Sequence, residues 1–166
     1  MRKHMLFDSA FIYPVGRPVS GGGTDIKSER DFLILTNNPL VFTCMSDRFR
    51  IVFSPELTYR EILVKARDLV YIGHTLYTHP LSGSVKPNET PYKSVVVSRV
   101  PHVFSPEQAE IISNSIAAFD KFTPRSRVLS EQVQGDFQLI DYTLLAGAVD
   151  FDAAAGLSKL KNSENN

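Results

Sequence analysis

Apolar residues in this chain form short continuous runs that alternate with helical stripes. Phe32–Thr36 (FLILT) is an unbroken apolar run closed by a threonine, the pattern of a strand buried on both faces, and Asn37-Asn38-Pro39 stops it. Arg50–Phe53 (RIVF) predicts a second short strand. From Thr58 the period becomes helical: Ile62, Leu63, Ala66, Leu69 and Val70 share one face, Thr58 and Glu61 have capping-box spacing, and Gly73 stands where a helix ends. Leu76–Thr78 predicts a third strand and Val95–Ser98 a fourth. Ser105-Pro106-Glu107-Gln108 reads as N-cap, N1 proline and N3 glutamine of a helix running through Ile112, Ile116 and Phe119 to about Phe122. A last helix is expected from Asp136, as its cap, to Val149, with Phe137, Ile140, Leu144 and Ala148 on one side and Asp141 exposed.

Strands alternating with helices predict an α/β fold: a three-layer sandwich with a mainly parallel, Rossmann-like sheet of about four strands. Residues 31–150 form the single domain. Residues 1–30 contain two prolines and a triple glycine behind Leu6, Phe7, Phe11 and Ile12, and read as an extension, either flexible or docking on another protomer to make a homo-oligomer. Residues 151–166 read as a C-terminal tail. In parallel sheets ligands bind beyond the carboxyl ends of strands. Two polar segments are expected there, Thr36–Asn38 and His79–Lys93.

Composition narrows the function classes. The chain of 166 residues is 43 % hydrophobic, enough for one domain with a real core. Eighteen basic residues balance eighteen acidic ones, which argues against a nucleic-acid surface or an anionic-membrane binder. No apolar run approaches the ~18–20 residues of a membrane span, and the N-terminus lacks the pattern of a secretory signal. The single cysteine, Cys44, excludes an internal disulfide and a CxxC pair, and a cytoplasmic protein is expected.

The segment Leu76–Lys93 (LYTHPLSGSVKPNETPYK) carries the candidate chemistry. Pro80, Gly83, Pro87 and Pro91 restrict its backbone, and a rigid polar loop at a strand end is a natural place for binding. His79 follows the strand and precedes proline; it is the candidate proton-transfer residue, and equally a histidine that holds the loop by a backbone hydrogen bond. Ser82, Gly83, Ser84 and Lys86 have the composition of an anion cradle, though no P-loop, dinucleotide loop or GxSxG is present. Thr78, Asn88, Glu89 and Thr90 complete the candidate binding set in the loop. Asn37 and Asn38 join it from the first strand end, or make the Asx turn that lets Pro39 start the next segment. Lys86, Glu89 and Lys93 alternate in sign, as along a solvated face. His74 reads as structural. His74, His79, His102 and Cys44 have no ligand spacing for a metal, and no cofactor motif is present.

Four segments in order resemble the GrdX family: Thr36-Asn37-Asn38-Pro39, VKARDLVYIGH (Val64–His74), THPLSGSVKPNETPYKS (Thr78–Ser94) and DFQLID (Asp136–Asp141). These are small proteins encoded with the glycine, sarcosine and betaine reductase systems of amino-acid-fermenting anaerobes. The resemblance spans roughly residues 32–150 and leaves out 1–30. It implies a cytoplasmic protein linked to a complex that uses selenoprotein and thiol chemistry and releases acetyl phosphate. It supplies no catalytic residue, and one cysteine makes this chain a poor reductant. Two roles follow. One is an accessory or regulatory protein that binds a component of the glycine reductase complex. The other is an enzyme or sensor that binds a small anion, a phosphorylated or carboxylated metabolite, at the His79–Lys93 loop. The residues leave open whether any substrate is turned over.

Overall fold

The computed structural model describes residues 32–83, 85–123 and 128–149. The extension at 1–30, the tail at 151–166 and Ser84 lie outside them. The element order is β1 (Phe32–Thr36), α1 (Pro39–Met45), β2 (Ile51–Phe53), α2 (Tyr59–Tyr71), β3 (Ser94–Ser98), α3 (Pro106–Phe119) and α4 (Glu131–Val149).

The sheet corrects the expected topology. Among the described residues it has three strands in the order β2-β1-β3, with β1 parallel to β2 and antiparallel to β3. It is therefore small and mixed, not a four-stranded, mainly parallel Rossmann-like sheet. The expected third strand at Leu76–Thr78 shrinks to one bridge, Leu76 to Val97. Beyond it the Thr78 hydroxyl, not a backbone carbonyl, takes the Val96 N–H at 2.9 Å, and pairing ends. Among the described residues no helix forms between there and β3. The chain returns at the edge it left, so β3 runs antiparallel, whereas parallel pairing needs a crossover, usually a helix.

Helices cover both faces. Side chains alternate along a strand, so Leu33, Leu35, Val95 and Val97 face α2 and α3, meeting Ile62, Leu63, Ala66, Val70, Ile112 and Ile116. Ile34 and Val96 face the other way, against Val41 and Met45 of α1 and Tyr142, Leu145 and Ala146 of α4. A strand sealed on both sides needs apolar residues at every position, which explains the unbroken FLILT run. Each large side chain buried here contributes about 1.5–3 kcal/mol.

Helix α1 was not expected. Asn38 is its N-cap, accepting the Leu40 N–H, and Pro39 follows at N1. The capping box of α2 is complete between Thr58 and Glu61, and Gly73 follows that helix with φ of 104°. Helix α4 starts at Glu131, so Asp136 is an exposed interior residue and not its cap. No helix among the described residues is long and apolar enough to cross a membrane.

Candidate functional site

The antiparallel return of β3 brings its first residues to the edge where β1 and β2 end. Polar groups converge there and are locked together. The Asn38 N–H donates to Thr36 Oγ1 at 2.9 Å, and Thr36 Oγ1 lies 2.7 Å from Ser94 Oγ. Ser94 Oγ donates to Asp141 Oδ2 at 2.7 Å, so the Thr36 hydroxyl is the donor to Ser94 and the relay runs one way. Asp141 Oδ1 accepts the Ser94 N–H at 2.9 Å, and Asn38 Nδ2 donates to Asp141 Oδ2 at 2.9 Å. Such a chain, with every member satisfied, fixes a carboxylate in place and strengthens each bond in it. Asp141 was expected to be exposed; it is half-buried and accepts three hydrogen bonds.

Lys93 lies beside this carboxylate. It was expected on a solvated face, yet only 4 % of its surface is exposed. The reason is local: Asn37 Oδ1 accepts the Lys93 N–H at 2.8 Å, which pins the chain as it enters a strand buried throughout. The ammonium donates to the Ser82 carbonyl at 2.9 Å and sits 5.6 Å from the Tyr59 ring centroid. Among the described residues the Ser82 carbonyl takes one of three donors, leaving two. Burial pushes the Lys93 pKa down from 10.5 to about 8, and the Asp141 charge opposes that fall. Burial, and then Asp141, push the Tyr59 phenol up, so it stays protonated.

Two small chambers of about 20 and 30 Å³ adjoin the pair; both are lined by Ser82, Lys93, Asp141 and Leu144. Each has room for one or two waters. Tyr59, Thr90 and Tyr92 separate the first from an open cleft of about 650 Å³ lined further by Leu57, Phe119, Phe122 and Leu129. Tyr92 is braced by α4, accepting from Gln138 Nε2 at 3.0 Å and donating to Gln134 Oε1 at 3.4 Å.

The expected site residues divide by position. Asn37, Asn38 and Thr78 reach the strand-end edge; Asn37 and Thr78 spend their side chains on the backbone, and Asn38 divides its side chain between the backbone and Asp141. Asn37 Nδ2 ties the Leu57 and Pro91 carbonyls at 2.8 Å each, and Asn38 makes the Asx-type cap. His79 is exposed; its Nδ1 accepts the Leu81 N–H at 3.2 Å and its carbonyl accepts from the Ser82 N–H and Oγ. Ser82 enters the chamber through its carbonyl, and Gly83 lines the wall. Lys86 is exposed and takes the Glu89 N–H on its own carbonyl; Glu89 is half-buried. Thr90 lines both the cleft and the first chamber, whereas Asn88 lines the cleft alone. Asn88 Nδ2 donates to the Thr123 carbonyl, and its buried Oδ1 has no partner among the described residues.

Sequence reasoning left Asp141, Tyr59 and Ser94 out of the candidate site and placed Thr36 and Lys93 only at the ends of the two polar segments, outside the binding set. A signal existed for two of them. Lys93 is separated by Ser94 alone from the apolar run Val95–Val97, and Asp141 falls four residues after Phe137 on the stripe that continues to Leu145. Among the described residues no group of His, Cys, Asp and Glu could hold a metal ion.

A family model described as GrdX-like protein matches residues 33–150. No curated protein matches the chain, and no solved structure matches it.

Proposed function

The chain belongs to the GrdX-like family, and from that membership we propose that it is a cytoplasmic accessory protein of the glycine, sarcosine and betaine reductase system. In this role it senses a small carboxylated or phosphorylated metabolite at the strand-end chamber. One observation carries the ligand reading: Lys93 is buried at 4 % exposure beside open chambers, with one hydrogen bond to a carbonyl. Burying a lysine costs several kcal/mol, and perturbed groups of this kind gather at functional sites. Lys93 takes the part first expected of Lys86. A sensor suits the site better than a catalyst, because Asp141 is already engaged by three donors.

Thermal denaturation with acetate, glycine, sarcosine, betaine, phosphate and acetyl phosphate tests the ligand reading. A ligand at ~100 times its Kd adds about 2.7 kcal/mol, a rise of several degrees. The rise is expected in wild type and absent in Lys93→Met; no rise with any compound overturns the reading. The accessory role is tested by capture from a native host. Recovery of a reductase subunit is expected, and repeated recovery without one contradicts the role.

A further inference from the structure

Lys93 and Asp141 face the same two chambers, so the site offers a cation and an anion within one small space. We propose that the ligand is a zwitterion, a small amino acid whose carboxylate meets the Lys93 ammonium while its own ammonium meets the Asp141 carboxylate. This deepens, and rests on, the reading of the chamber as a carboxylate site.

Charge balance is the first support. The pair already sums to zero, so a bare anion would leave a net negative charge in a poorly solvated chamber, a costly state. A zwitterion keeps the total at zero and pairs both charges. Among the described residues the remaining titratable groups lining the chambers are the phenols of Tyr59 and Tyr92, so none of these supplies a compensating cation.

The count of hydrogen-bonding positions agrees. Lys93 has two donors left after the Ser82 carbonyl, enough for a carboxylate. Asp141 accepts three bonds, and a carboxylate offers about four lone-pair sites, so one acceptor remains for an ammonium. Size sets the limit. The two chambers share the Lys93 and Asp141 walls and, at about 20 and 30 Å³, hold a few waters between them, which limits the ligand to the smallest amino acids. Phe137, Ile140 and Leu144 supply an apolar part of the first chamber's lining.

Titration calorimetry at neutral pH with glycine, acetate and methylamine decides the matter on the wild-type protein. Glycine is expected to bind at least about tenfold more tightly than either half-molecule. Asp141→Asn is expected to reduce glycine to the affinity of acetate, and because this residue also holds the strand-end relay, its fold is checked by circular dichroism. Equal affinity for acetate and glycine overturns the zwitterion while the carboxylate reading stands. Methylamine binding as tightly as glycine, or no binding of any of the three, overturns both.

Discussion

At the scale of single residues, the departures from expectation concern polar groups whose surroundings come from distant parts of the chain. Lys93 and Asp141 are 48 positions apart in sequence (141 minus 93) and meet only because β3 returns antiparallel and α4 crosses its start. No local pattern gives that encounter. His79, by contrast, stands in the most conspicuous motif and closes its own turn. Lys93 has a measurable consequence. Its pKa lies near 8 in the folded protein against 10.5 when solvated, so between these values the unfolded chain holds a proton that the native state lacks. Stability must then rise with pH across that window. The shift corresponds to about 3 kcal/mol at full extent. The Tyr59 phenol, pushed up, works oppositely above about pH 10, where the unfolded chain loses its proton first. Urea denaturation of wild type and Lys93→Met from pH 7 to 10 is expected to show the gain in wild type alone. At pH 7 the methionine variant is expected to lie close to wild type, because losing the desolvation cost of the buried ammonium is offset by leaving the Asp141 charge without its neighbouring cation.

Elements were legible where punctuation is local. The Thr58/Glu61 box and Gly73 bound α2 as expected, and β1 follows the FLILT run. The Ser105 cap holds as well, but Gln108 turns away from it and caps the Leu76 N–H, blunting the edge that the expected third strand would have extended. Helix α1 was hidden because Asn38-Pro39 serves equally as a turn or as an N-cap with N1 proline, and only Val41 and Met45 mark its buried face. Two substitutions test these joints. Gly73→Ala is expected to cost about 2–3 kcal/mol, because φ is 104° and a Cβ there would overlap the His102 carbonyl. Asn38→Ala removes the α1 cap together with the ties to Gln138 and Asp141, and is expected to cost about 2–4 kcal/mol. Both are read from denaturant midpoints at constant slope.

At the scale of the whole molecule, alternating strands and helices correctly announced an α/β protein, while strand direction stayed out of reach. Direction depends on whether the residues 78–93 cross the sheet or turn back, and prolines with polar residues are compatible with either. That single difference builds the site. A parallel β3 would carry Lys93 and Ser94 to the opposite edge from Asn37 and Asn38. The balanced charge of eighteen basic and eighteen acidic residues provides no long-range steering for an anion, so in the proposed role recognition would fall to the chamber itself. If the Lys93 ammonium holds the ligand, a titration of Lys93 by NMR with and without saturating glycine will register it. In the free protein Lys93 is expected to titrate near 8, and in the complex distinctly higher, because a bound carboxylate stabilises the ammonium. A midpoint at the ordinary lysine value in the free protein, or one that glycine leaves unmoved, would contradict the account.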